Sequence, residues 1–189
     1  QIGVIASKKG VGKTACLTHI AVDKLFQDRK VIHVSFASNV DHIITWYEDI
    51  FQEIAKKRDL EHAVDIHDEI IKNRVIMNFN QEGVDTAQIL QSLEALITDG
   101  NFNADAVIFA LGEKPYAEMP GNINTLNLPE HQSELVHLFK DVKTPKVMVM
   151  IQGRPRVITD LQKEAEAVLF AGLPGYEGGT AIAEIFPAK

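Results

Sequence analysis

Short apolar runs alternate with amphipathic stretches along the whole chain. Runs rich in Val, Ile and Phe predict strands at 2–6, 31–36, 74–79, 105–111, 146–151 and 167–171. Several are apolar throughout, as strands buried on both faces are. Helices are predicted between them, near 13–28, 40–56, 59–72, 85–98, 129–140, 157–164 and 178–185. The helical period is clearest in 40–56, where Val40, Ile43, Ile44, Tyr47, Ile50, Phe51 and Ile54 share one face. Pro129 stands where a first helical turn begins, a position proline tolerates. This alternation predicts an α/β fold: a three-layer αβα sandwich around a mainly parallel sheet of about six strands, phosphate-loop or Rossmann-like in kind, with 1–189 as one domain. The pattern does not give the strand order.

Composition narrows the function classes. The 189 residues are 46% hydrophobic and carry a net charge of −7. An acidic balance without a basic tract argues against nucleic acid or an anionic membrane as partner. Cys16 is the only cysteine, which excludes an intrachain disulfide and a cysteine zinc site and fits a reducing, cytoplasmic setting. No apolar run is long enough to span a bilayer. Residues 1–110 contain no proline, and all seven prolines fall in 111–189. That shift marks 105–114 as a candidate seam. The start at Gln1, without Met and directly in a strand-like run, is expected of a trimmed chain or a fragment.

Residues 7–14 read Ser-Lys-Lys-Gly-Val-Gly-Lys-Thr, between a predicted strand and a predicted helix. Gly12, Lys13 and Thr14 match the end of the phosphate-loop pattern, and Ser7 replaces its first glycine. Glycines at 10 and 12 let backbone N–H groups approach phosphate oxygens, and the helix N-terminus adds positive potential. Lys13 is expected to neutralise β- and γ-phosphates and Thr14 to offer its hydroxyl to Mg²⁺. The expected phosphate-contacting set is Ser7, Lys8, Lys9, Gly10, Val11, Gly12, Lys13, Thr14 and Ala15, with ATP or GTP and Mg²⁺, or a phosphate or sulfate ion, as ligand. The alternative is a Gly-rich turn that binds nothing. An acid at the end of a buried strand usually completes the Mg²⁺ site. No aspartate closes 106–111, so Glu113 is the stand-in, or else a surface loop glutamate. Binding is therefore better supported than hydrolysis.

The run Lys8-Lys9-Gly10-Val11-Gly12-Lys13-Thr14 resembles the deviant phosphate loop of the chromosome-partitioning and cell-division-site ATPases. The resemblance implies that Lys8 reaches the nucleotide of a second subunit, so the chain is expected to be a monomer or a homodimer. It also makes Asp41 a displaced candidate for the family's switch aspartate. Read by itself, Asp41 is an acid suited to the first turn of a helix.

From about 107 onward a second resemblance takes over. The segments Leu111-Gly112-Glu113-Lys114-Pro115-Tyr116-Ala117-Glu118, Leu126-Asn127-Leu128-Pro129-Glu130, Gly153-Arg154-Pro155 and Ala171-Gly172-Leu173-Pro174-Gly175-Tyr176-Glu177-Gly178-Gly179 resemble, in order, the C-terminal α/β domain of family 3 glycoside hydrolases. There the nucleophilic aspartate lies on a preceding barrel, and this domain lends an acid/base glutamate in some members, which Glu130 matches. Hydrolysis needs two carboxylates, so Glu130 alone implies no glycosidase activity. Read by itself, Glu130 is a first-turn helix acid. The two resemblances imply an engineered chimera, 1–107 from one parent and 108–189 from the other, recombined at a shared strand and kept as a structural object. A working ATPase or GTPase and a carbohydrate-binding fragment are the rival functions. Within the shared strand, 105–108 is expected to pack on the first half's helices and the later residues on the second half's.

Three further groups carry candidate chemistry. His62, Asp65 and Glu69 share a helical face, either a metal site or a solvated charged face. Trp46 reads as packing rather than a stacking platform. Arg154 and Arg156 flank Pro155 and are placed to meet an anion, or are solvent-facing.

Overall fold

The computed structural model describes residues 2–6, 13–35, 40–79, 86–99, 104–113, 116, 119–175 and 177–186. Its strands are β1 (Ile2–Ala6), β2 (Val31–Ser35), β3 (Arg74–Asn78), β4 (Ala106–Gly112), β5 (Lys146–Ile151) and β6 (Ala167–Gly172). Its helices are α1 (Lys13–Phe26), α2 (Asp41–Lys57), α3 (Ala63–Lys72), α4 (Thr86–Asp99), α5 (Glu130–Leu138) and α6 (Gly178–Ile185). The strands form a single sheet in the order β3-β2-β1-β4-β5-β6, and every pairing is parallel. This is the doubly wound order in which the winding reverses between β1 and β4.

The apolar runs end up where strands buried on both faces must lie. All five residues of β2 are buried, as are the last six of β4. Alternation then splits the core in two. Val31, Ile108, Ala110, Val149 and Ile151 face Leu17, Ile20 and Leu25 of α1, Ile43, Tyr47, Ile50 and Phe51 of α2, and Ile182 of α6. Ile32, Val34, Val107, Phe109, Leu111, Met148 and Met150 face Ile89 and Leu93 of α4 and Leu135 and Val136 of α5. The result is a three-layer αβα sandwich.

Packing on β4 therefore divides by face, not along the strand as expected. Ile108 and Ala110 lie in one core with residues of both the early helix α1 and the late helix α6, because side chains alternate with period two. The helix expected over 157–164 does not form. Val157 is in a parallel bridge with Asn127, and its N–H donates to the Leu126 carbonyl at 2.9 Å, so only Leu161–Glu164 make a 3₁₀ turn. Pro129 precedes α5 rather than opening it, with φ −53° and ψ 134°. Ile44 is 38% exposed, outside the buried stripe of α2, which takes in Ala55 instead.

The end of β4 is unusually close to its neighbour. Gly112 has φ +150°, and a Cβ there would lie 1.9 Å from the Ile151 carbonyl oxygen. The Gln132 side chain brackets this glycine, accepting from its N–H at 2.9 Å and donating to its carbonyl at 2.7 Å. This bracket fixes the direction in which the chain leaves the sheet, and Glu113 is the next residue.

Candidate functional site

Ligands of open parallel sheets bind beyond the carboxyl ends of the strands, where the winding reverses. Here that crevice lies between β1 and β4. It is entered from one side by the first turn of α1 and from the other by the residue after Gly112. Lys13 opens α1 and is only 3% exposed. Its Nζ donates to the Glu113 carbonyl oxygen at 3.1 Å. Among the described residues no carboxylate is within ion-pair distance of it. Burial pulls its pKa down from 10.5 to about 8, and the Glu113 charge pulls weakly the other way. Among the described residues this carbonyl is the ammonium's hydrogen-bond partner. Thr14 is half-buried beside it, its carbonyl taken by the Thr18 hydroxyl at 2.7 Å. The Ala15 carbonyl lies 3.3 Å from His19 Nδ1. Ser7, Lys8, Lys9, Gly10, Val11 and Gly12 lie outside the described residues.

Glu113 is neither the surface glutamate nor the Mg²⁺ acid the sequence offered. It is 5% exposed. One carboxylate oxygen accepts from the Gly153 N–H at 3.1 Å and the Arg154 N–H at 3.3 Å. The other accepts from Arg154 Nε at 2.8 Å and from an Arg156 terminal nitrogen. Burial pushes its pKa up, but the hydrogen bonds from Arg154 and Arg156 together outweigh this and hold it below the usual carboxylate value. With two donors on each oxygen, the carboxylate has no lone pair left for a metal. The anion that the two arginines meet is thus internal. Arg154 also lies over the Tyr116 ring, 3.8 Å from its centroid, and Arg156 donates to the Thr125 and Asn127 carbonyls.

The remaining candidates are scattered. Asp41 is exposed in the first turn of α2, as a helix acid, and Glu130 is exposed in the first turn of α5. His62 and Asp65 are 80% and 84% exposed and 3.8 Å apart, and Glu69 is exposed nearby. Among the described residues no group of three His, Cys, Asp or Glu side chains is arranged to hold a metal. Trp46 packs against the core of α1 and α2, and its Nε1 donates to His42 Nε2 at 3.2 Å. It also lines a cavity of about 500 Å³ beside Ala15, with His19, Asp49, Glu53 and Glu177. Among the described residues no helix is long and apolar enough to cross a membrane. Sequence reasoning missed Gln132 and the special role of Gly112. A glycine closing an apolar strand directly before a glutamate was the available signal.

A parallel doubly wound sheet with a buried lysine at its switch point defines a Rossmann-like α/β domain. The family described as Glycosyl hydrolase family 3 C-terminal domain matches residues 10–188, and the chain belongs to that family. Among its relatives is a lysosomal beta glucosidase of Dictyostelium discoideum, 39% identical over 84 residues, which are 44% of this chain and 10% of the glucosidase. The chain also resembles an adenylate kinase of Saccharolobus islandicus, strain M.14.25 / Kamchatka #1, 26% identical over 163 residues, 86% of this chain and 69% of the kinase. The fold matches the beta-glucosidase from Listeria innocua in complex with glucose, with a TM-score of 0.52 at 21% identity, over 84% of this chain and 21% of that one. The chain thus spans about a tenth of the curated glucosidase and about a fifth of the solved one.

Proposed function

We propose that this chain is a recombined α/β domain that holds the phosphates of a nucleotide at the β1/β4 switch point without hydrolysing it. Its first part, about 1–107, descends from a phosphate-loop ATPase, and its second part, 108–189, from the α/β domain of a β-glucosidase. The observation that carries the reading is Lys13, a buried ammonium at the first turn of α1 with a carbonyl as its polar partner. Thr14 follows it where Mg²⁺ would be met, and the Gly10-Val11-Gly12 run precedes it. The likeness to an adenylate kinase supports the phosphate loop, and the family match, which covers 10–188, supports the second part and extends over most of the first. The match also runs through 105–111, and the continuous register of β1 with β4 lets both parts share one sheet. The cavity beside Ala15 has room for a nucleoside. Glu113 does not serve as the acid for hydrolysis, because its carboxylate is saturated by Arg154 and Arg156.

The test is thermal unfolding with Mg²⁺ and ATP, GTP or inorganic triphosphate. A ligand at a hundred times its Kd stabilises by about 2.7 kcal/mol. Lys13→Ala removes most of that shift. No shift in the parent chain with any of the three, or an equal shift in the variant, sinks the reading. Turnover of ATP abolished by Lys13→Ala would replace it with a working ATPase.

Family membership favours a second reading, sugar contact by residues 108–189. Saturable binding of glucose, unaffected by triphosphate and by Lys13→Ala, would establish it.

A further inference from the structure

Gln132 is a polar side chain at a core position. It lies one turn before Leu135 and Val136 on the buried face of α5 and is 3% exposed. Both ends of its amide engage one residue. The carbonyl oxygen accepts from the Gly112 N–H at 2.9 Å, and the amide N–H donates to the Gly112 carbonyl at 2.7 Å. Gly112 is where β4 most needs a restraint, because with φ +150° and no Cβ it has backbone freedom that its neighbours lack. Leu135 and Val136 share a core with Phe109 and Met148, so the helix that carries Gln132 is itself fixed to the sheet.

The next residue depends on that restraint. Glu113 turns its two polar ends in different directions. Its carbonyl oxygen accepts from Lys13 Nζ at 3.1 Å. Its carboxylate is held by the Gly153 and Arg154 N–H groups and by the side chains of Arg154 and Arg156. Those contacts anchor the side chain alone. The direction of the carbonyl follows from how the chain leaves Gly112, and Gln132 fixes that through the N–H and the C=O together.

We propose that Gln132 is the positioning residue of Lys13: by clamping both backbone groups of Gly112 it holds the Glu113 carbonyl on the ammonium and so sets where the ammonium stands in the β1/β4 crevice. Gln132 acts through the backbone of residues 112 and 113. The consequence for triphosphate binding rests on the reading given under Proposed function, whereas the placing of the ammonium does not.

Two measurements on the 189-residue chain test this: the NMR titration of Lys13 Nζ without ligand, and the Kd of inorganic triphosphate with Mg²⁺ at pH 6. Gln132→Met keeps the size of the side chain and removes both hydrogen bonds. The Lys13 midpoint is expected to fall below the parent's, because a still-buried ammonium loses the acceptor that favours its charged form. General loosening of α5 against β4 would instead admit water and raise the midpoint towards 10.5. Triphosphate binding should weaken about tenfold, the loss expected of one misplaced charged contact. Gln132→Glu is the rescue. Burial keeps its carboxyl neutral at pH 6, so it can both accept and donate, and the Nζ resonance and the Kd at that pH should match the parent's. Should Gln132→Met not fold, Gln132→Asn, with the same groups one methylene shorter, takes its place. If the parent binds no triphosphate, the nucleotide reading falls and the Lys13 titration alone decides the positioning. A midpoint unchanged or raised in Gln132→Met, a triphosphate Kd indifferent to it, or a Gln132→Glu chain that does not recover the parent's Nζ resonance overturns the proposal.

Discussion

The Lys13 ammonium and the Glu113 carbonyl oxygen meet at 3.1 Å across one hundred residues of sequence. This contact ties the start of α1 to the end of β4, over the crevice where the sheet reverses its winding. The carboxylate of Glu113 is turned to Arg154 and Arg156, so the lysine keeps its charge without an ion-pair partner among the described residues.

Lys13 gives stability an inverted alkaline dependence. Its pKa is about 8 in the folded chain and 10.5 in the unfolded one. Between those values the unfolded chain holds more proton, so stability attributable to this group rises with pH, by at most about 1.4 kcal/mol per unit. Urea unfolding from pH 8 to 10 should show this rise, and Lys13→Met should lack it. Saturating triphosphate should also remove it, by restoring the charge. Identical profiles for the parent and the variant would refute the burial of the ammonium.

Glu113→Gln is expected to destabilise the fold by about 3 kcal/mol, because Arg156, whose side chain is 7% exposed, then loses its buried counter-charge. In the unaltered chain the depressed pKa means that this contribution is present above the unfolded value and lost as pH falls through the folded one. Acid unfolding should therefore be gentler in the variant. Calorimetry at pH 7 and at pH 3 checks both statements.

His33 is fully buried in β2, with Nδ1 3.1 Å from the Tyr47 hydroxyl and Nε2 without a partner among the described residues. Burial first, and Arg74 second, pull its pKa down to about 4. Between pH 6.5 and 4 the unfolded chain takes up a proton that the folded one refuses, so stability falls as pH falls through that window. His33→Phe should flatten the profile there while lowering stability at pH 7 through the orphaned tyrosine hydroxyl. A parent profile already flat from pH 6.5 to 4 would contradict a neutral, buried imidazole.

Gly112→Ala should cost at least about 2 kcal/mol, since a Cβ would collide with the Ile151 backbone, which has no room to move. The melting temperature gives the answer, and a value unchanged from the parent would show that β4 and β5 separate more readily than their register implies.

β-Glucoside hydrolysis is expected to be absent from this chain. Glu130 stands exposed at the start of α5, and hydrolysis needs a second carboxylate on the other side of the scissile bond. Purified activity lost on Glu130→Gln would overturn this.

Much of the architecture was legible because it is local. All six strands and six of the seven expected helices follow from periods of two and 3.6 along the chain. The helix over 157–164 misled because Val157, apolar but 51% exposed, satisfies its backbone on Asn127 and Leu126 rather than in a helix. The placing of Lys13 and Thr14 at the start of a helix was legible for the same reason: it is a property of one turn.

The sequence by itself determined the alternation of strand and helix, the buried character of the strands and the presence of Lys13 at a helix start, since each depends on residues within a few positions of one another. The tertiary structure decided the order β3-β2-β1-β4-β5-β6 and the fate of Glu113. Glu113 reads in sequence as a loop acid after a strand. It becomes a buried, arginine-saturated carboxylate because β4 and β5 pair side by side, which brings Arg154 and Arg156, 41 and 43 residues away, onto the same oxygen atom. No local pattern encodes that meeting, because it arises from which strand lies next to which.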